Sequence, residues 1–376
     1  MRRFLTPVVV LACLVFSSAT AGAVASTRAL VPLTDAAQQL TAYGGYVVFS
    51  QSDAAQTSWH LMVWHAGKIS ALPVAPRSIP FDADAGPDAQ GRPAVVYSRC
   101  TSEPIPFSKD TSSYPSGYPP MDWAQASGCR IFELSLLEGG ERRATGIAAH
   151  GASDSTPSIW NGAIAFQRNA ATAVPRTAKL FLWRAGRPLR RLAGGSRGEV
   201  GAFVVSMDLG AHELAFDWEL FGGNVVHFVA WEVRSDPLGV GRPRLADVGI
   251  GHEACTGGVT SMPFSPNADG TQIFYVIAVG DPCSAPSSMF ESFAPSTGRW
   301  RTFAPSTGLI GAAARDGAST YWVQVRLAPS PPPTTTEKEQ NQGDCLPQHE
   351  TCTLMQTTNL ALKPDSHHYE VSPPLY

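Results

Sequence analysis

Four aspartates, Asp82, Asp84, Asp154 and Asp208, are the residues of this chain whose type and placement come nearest to a reaction. Two carboxylates held close together split their proton affinities, and such a pair can serve as acid and base in a hydrolase or a lyase. Asp82 and Asp84, with Asp88 beyond them, also alternate along the chain, a spacing that can present oxygens to calcium. The stretch has neither the glycine nor the distal glutamate of an EF-hand. Solvated carboxylates on an entry strand are therefore the plainer expectation, and no cofactor is expected beyond that one possible cation.

Other chemistry is quickly exhausted. Gly194-Gly195-Ser196-Arg197-Gly198 matches G-x-S-x-G, but a nucleophilic serine needs a strand before it and a helix after it. Glu199 to Val205 reads as a linker and a strand, so a plain turn is expected. His252-Glu253, His349-Glu350 and His367-His368 are adjacent pairs, which point apart on a strand and lack zinc spacing. There is no phosphate-binding glycine loop, redox C-x-x-C or dinucleotide fingerprint.

The elements that would position the aspartates form a repeat. Its clearest copy runs from Asp154 to Gly195: Ser158 to Asn161 enters a turn at Gly162, then Ala163 to Gln167, Lys179 to Trp183 and Pro188 to Ala193 read as strands. Leu61-Met62-Val63-Trp64-His65-Ala66-Gly67-Lys68 repeats the phrase Leu180-Phe181-Leu182-Trp183-Arg184-Ala185-Gly186-Arg187. Pro93 to Ser98 with Arg130 to Leu136 fills the unit between them. His212 to Trp218 with Val225 to Trp231 makes a fourth, and Gln272 to Val279, Met289 to Phe293 and Arg299 to Phe303 a fifth. Ser319 to Leu327, Cys352 to Thr357 and Leu360 to Lys363 make a sixth. Four short strands per unit, six times, predict an all-β chain: a six-bladed β-propeller of four-stranded antiparallel blades. Trp64, Trp183 and Trp231 recur at one position and are expected between blades. Either Leu360 to Lys363 or an N-terminal strand near Ala29 to Leu33 must close the ring. First strands from all six units converge on the central channel, which is how the four aspartates could meet.

Phe264-Ser265-Pro266-Asn267-Ala268-Asp269-Gly270, followed by the strand from Gln272, resembles the S-P-D-G turn of the TolB-type WD40-like repeat. Ala85-Gly86-Pro87-Asp88-Ala89-Gln90-Gly91-Arg92 is a looser copy, and Arg190-Arg191-Leu192 resembles that repeat's R-x-L ending. The resemblance covers about two thirds of residues 26–376 and implies a six-bladed propeller, often exported and often a binding platform. The extra domains that accompany such propellers elsewhere have no room here, so their chemistry is not implied.

Residues 1–25 read as a signal peptide: Arg2 and Arg3, an apolar Phe4 to Phe16, and a small-residue site at Ala23-Val24-Ala25. The apolar core falls short of the roughly 20 residues of a membrane span, so an exported chain, extracellular or periplasmic, is expected. Val10-Leu11-Ala12-Cys13 approaches a lipid-attachment box, which would cut the apolar run in its middle. Without Arg2 and Arg3, 26 basic side chains face 31 acidic ones. That balance, with scattered arginines, speaks against nucleic acid as partner.

Residues 26–376 are expected to form one domain with insertions at 101–128 and 329–344. Six cysteines in an exported chain suggest disulfides. The blade register predicts Cys100 to Cys129, Cys255 to Cys283 and Cys345 to Cys352, all on the face where second-to-third-strand and blade-to-blade connections emerge. The excursion from Thr101 to Gly128 carries Tyr114, Tyr118 and Trp123 among Pro and Ser. These aromatics either contact a partner or fold back as a cap over the blade edge. The resulting expectation is a non-catalytic propeller that binds a protein or glycan of the cell envelope or its surroundings through this disulfide-bearing face. The alternative is a hydrolase or lyase working with channel carboxylates.

Overall fold

A computed structural model describes residues 25–34, 39–53, 57–106, 121–123, 125–147, 151–170, 178–192, 201–222, 228–238, 243–252, 260–280, 287–305, 308–327 and 349–364. Every regular element among them is a β-strand. Blade I is Leu40–Tyr43, Tyr46–Ser52, Trp59–His65 and Lys68–Ala71. Blade II is Asp84–Pro87, Pro93–Arg99, Arg130–Ser135 and Glu141–Arg143. Blade III is Ala152–Trp160, Ala163–Ala170, Lys179–Trp183 and Arg190–Arg191. Blade IV is Gly201–Leu209, Glu213–Gly222, Phe228–Pro237 and Arg244–His252. Blade V is Thr260–Asp269, Gln272–Gly280, Ser287–Ala294 and Arg299–Phe303, and blade VI is Leu309–Asp316, Ser319–Leu327, His349–Thr358 and Ser26–Leu33. All pairings are antiparallel, and the chain is a six-bladed β-propeller.

The second strands explain why this architecture follows from the sequence. A strand wetted on one face alternates apolar and polar residues, whereas Tyr46–Ser52 opens on four successive apolar or aromatic residues and Gln272–Gly280 is apolar from Ile273 to Val279. Both of their faces are covered. Val47 and Phe49 enter the cluster shared with blade VI, while Val48 enters the one shared with blade II. Ala94 and Val96 face blade III and Val95 and Tyr97 face blade I. Ile273 and Tyr275 face blade IV, and Phe274 and Val276 face blade VI. With the cluster between blades III and IV, six apolar layers separate six blades and close a circle. Trp64 packs in this way against Tyr321 of blade VI, their ring centroids 6.0 Å apart.

Closure is made by the N-terminal strand. Ser26–Leu33 pairs with His349–Thr358 and becomes the outermost strand of blade VI, beside Ser319–Leu327 and Leu309–Asp316. Thr27 meets Thr357, and Leu33, opposite Cys352, is buried in the layer with blade I. The segment around Leu360 to Lys363, expected in blade VI, goes elsewhere: Lys363–Pro364 pairs with Arg301 and Thr302 as a fifth strand of blade V. Its proline sits at a sheet edge, where the missing N–H leaves no ladder bond unmade.

Candidate functional site

The innermost strands and the residues leading into them line a central channel with Gln39, Thr41, Asp82, Asp84, Thr156, Ser206, Asp208 and Asn267. In blades III, IV, V and VI this strand is bulged, skipping two residues in its pairing. Thr156 and Ser265 occupy the bulge in blades III and V, both with positive φ and both followed by proline. A left-handed β-branched residue before proline is a disfavoured conformation, and Thr156 is held in it from two sides. Its N–H donates to Asp82 Oδ2 at 2.7 Å, and its hydroxyl accepts from Gln167 Nε2 at 2.5 Å.

Most polar groups of the channel wall tie one blade to the next. Thr41 of blade I donates to Asp84 Oδ1 at 2.7 Å, and Asp84 Oδ2 accepts from the Ser158 hydroxyl and the Ile159 N–H of blade III at 2.6 and 2.9 Å. Ser158 Oγ accepts from Leu209 N of blade IV, and Asp208 accepts from Ala268 N of blade V. Asn267 exchanges bonds with Ala313 and Arg315 of blade VI, whose Asp316 accepts from Gly45 N of blade I. Burial pushes the Asp84 carboxyl up to about 6, against the lowering effect of its hydrogen-bond donors. Burial and the neighbouring charge of Asp84 raise Asp208 well above the usual carboxylate range. Asp217, behind the wall, is pushed by burial up to about 7 while it accepts from Ser206 N and Oγ.

The channel is narrow. Its free volume is about 30 Å³, room for a water or two, and Gln39 reaches across it from blade I to donate to the Val205 carbonyl of blade IV. Among the described residues no group of three or more His, Cys, Asp or Glu side chains comes together as metal ligands. Asp88 stands apart from Asp82 and Asp84, in the turn after the innermost strand of blade II. There it accepts from the N–H groups of Gln90 and Arg92 and from the Arg92 guanidinium. Asp154 is likewise off the channel wall, paired with Arg168 at 2.6 Å.

The excursion from blade II begins as an arm. Cys100 and Cys129 continue the ladder that pairs Arg99 with Arg130, and they form a disulfide. Ser102 and Ser127 pair beyond it, then Ile105 with Asp122 and Pro106 with Met121. Gly128 is required here: its φ is +64°, and a Cβ would lie 2.5 Å from the Thr101 hydroxyl. The arm folds down onto the propeller. Trp123 is 2 % exposed, packed with Ile79, Met121, Ala178 and Val205, and its carbonyl accepts from Asn169 of blade III. Arg77, itself buried, stacks between Phe81 and Trp123 and bonds Asp82, Glu103 and the Ser98 carbonyl. The disulfide closes a separation of 29 residues. Chain entropy predicts that replacing both cysteines by alanine costs roughly 3.5 kcal/mol. Urea unfolding of the double variant checks this, and a loss under about 1 kcal/mol would contradict it.

Of the aromatics expected at this face, Trp123 is thus withdrawn into the cap arrangement, while Tyr114 and Tyr118 lie outside the described residues. So do Cys255, Cys283, Cys345 and Ser196. Cys352 is buried in the third strand of blade VI, next to the closing strand. Sequence reasoning did not find Arg77, Gln39, Thr41 or Asp217. A basic residue five positions before Asp82 was the one visible hint of the first.

No known protein family matches the chain, and no curated protein matches it in sequence. Solved structures do resemble it in fold. A six-bladed lectin from the fungus Aleuria aurantia, described by its fucose recognition, is 8% identical over 76% of this chain and 86% of its own, with a TM-score of 0.41. The propeller domain of the Trilobed protease from Pyrococcus furiosus is 8% identical over 89% of this chain and 97% of its own, with a TM-score of 0.40. A puromycin-hydrolyzing peptidase of Mycobacterium tuberculosis is 11% identical over 80% of this chain and 49% of its own, with a TM-score of 0.41. At these identities the likeness is one of fold alone.

Proposed function

We propose that this protein is an exported, non-catalytic propeller that binds a protein or glycan partner through the face carrying the disulfide-held arm. The observation that carries the reading is the state of the channel. Asp82 and Asp84 are engaged by donors from their own and neighbouring blades, and Gln39 spans the channel between blades I and IV. The arm, in contrast, is an insertion on a rigid scaffold, where binding residues tend to sit. Export is supported by residues 1–25 and by the disulfide. Cleavage after Ala25 would leave the closing strand whole, since it starts at Ser26. The alternative, a hydrolase or lyase, draws on the raised proton affinities of Asp84 and Asp208.

The pairing of Ile105 with Asp122 and Pro106 with Met121 indicates how to test the arm. Those ends are antiparallel neighbours, so residues 107–120 can be replaced by a two-residue Asn-Gly turn with the disulfide and Trp123 kept. The shortened protein is expected to melt with the wild type and to lose retention of an envelope-extract component. Protease sensitivity of that component would mark a protein, and periodate sensitivity a glycan. Equal retention by both forms, or none by either, would overturn the reading and send the channel carboxylates to an activity screen.

A further inference from the structure

Among the described residues, the large apolar side chains left in water are Ile105, Leu137 and Leu189. Ile105 is on the arm. Leu137 and Leu189 share the opposite face, because each lies in the turn between the third and fourth strands, of blade II and blade III respectively. These blades are neighbours: a Cβ on Gly146, just past the outer strand of blade II, would strike Trp183 of blade III. Around Leu189 the chain reads Arg184-Ala185-Gly186-Arg187-Pro188-Leu189-Arg190-Arg191, with no acidic residue. All four arginines are exposed, and none forms an ion pair among the described residues; the same holds for Arg143 on the outer strand of blade II. Nearby acids are already engaged, Glu133 by Arg142, Glu138 by Arg92 and Glu141 by Arg99. A chain of net charge −3 thus concentrates unpaired arginines beside two exposed leucines on one rim.

We propose that this rim docks the propeller on an anionic phospholipid bilayer. Guanidinium groups meet lipid phosphates in a forked geometry and feel the negative surface potential. Leu137 and Leu189 on their turn tips would enter the interface below the headgroups. The leucines favour a bilayer over a soluble polyanion, which would engage the arginines and leave both leucines in water. A protein docked by this rim keeps the arm directed away from the membrane. The two surfaces are independent, and so are their tests.

The full chain, recovered from a secreting host, is sedimented with vesicles of phosphatidylcholine alone and of an equal mixture with phosphatidylglycerol. Binding is expected only to the mixed vesicles, weakening as salt rises. At roughly fivefold per arginine near a charged surface, Arg187→Ala with Arg190→Ala should weaken it about 25-fold. Leu137→Ser with Leu189→Ser should weaken it several-fold at every salt concentration. Both pairs are on the surface, and an unchanged thermal transition shows that they fold. The proposal is overturned by equal binding to both vesicle types, by wild-type binding of the arginine variant, or by a leucine variant unaffected while soluble polyglutamate displaces the protein.

Discussion

Replacing Asp82 with alanine is expected to destabilise the propeller by about 3 to 5 kcal/mol and to loosen the arm. Asp82 is 2 % exposed and accepts four bonds: from Ser98 N at 3.0 Å, Ser98 Oγ at 2.5 Å, Thr156 N at 2.7 Å and Arg77 at 3.3 Å. Alanine leaves the Thr156 N–H without its acceptor while that residue is held in the left-handed region. It also leaves a buried guanidinium with Glu103 as its one carboxylate partner. Losing one partner strips a buried charge of part of its compensation, which here leaves the Arg77 guanidinium to Glu103 and the Ser98 carbonyl. Arg77→Met in the Asp82→Ala background should therefore recover part of the loss, a coupling that a double-mutant cycle in urea measures. Arg77 also stacks on Trp123, so Asp82→Ala should shift the fluorescence of that indole before global unfolding. A loss below about 1 kcal/mol, or strict additivity with Arg77→Met, would show that Asp82 does not hold the arm.

The fold was legible because a propeller writes its blades one after another. Each second strand carries apolar residues for two layers, and the Trp64 and Trp183 phrases mark the same position in two blades. The disulfide from Cys100 to Cys129 was legible for the same reason, since both flank one excursion in a known register. Which terminus closes the ring was not. Ser26–Leu33 and the segment near Lys363 are both short and equally suited to an edge, and only the apolar layer that receives Leu33 decides between them. The channel was half legible. Asp84 and Asp208 reach it from innermost strands and Asp82 from the chain just before one, but Asp154 falls on the other side of a bulge that skips Thr156 and Pro157. What the carboxylates do depends on Thr41, Ser158 and Ala268, which come from other blades and leave no signal near Asp84 or Asp208 in the chain. In sequence Arg190 and Arg191 read as part of a strand and of a blade ending. Their exposure beside Leu189, with no partner among the described residues, emerges only from the folded rim.

The buried carboxylates give the protein an unusual dependence on pH. Asp84 and Asp217 ionise near 6 and 7 in the folded chain and near 3.8 in the unfolded one. Between about pH 4 and 7 the unfolded state releases these protons first, so stability is highest at the acid end of that window and falls as pH rises. Asp154 and Glu213, both raised by burial, act in the same direction. Asp88 acts oppositely: its N–H and guanidinium donors outweigh the effect of burial and hold it below the usual range, so its contribution is lost as the pH falls further. A melting maximum near pH 4 to 5 is expected, with a fall of several kcal/mol by pH 8. Asp217→Asn isolates one contributor. An amide can accept from Ser206 N through its oxygen and donate to Ser206 Oγ, so both bonds to Ser206 survive without a titrating group. At pH 5 the variant should melt close to wild type. At pH 8 it should be more stable, by on the order of 3 kcal/mol. Thermal unfolding of both proteins at the two pH values decides the matter. A wild type as stable at pH 8 as at pH 5, or a variant with the same fall, would mean that Asp217 is not the buried proton site inferred from its position behind the channel wall.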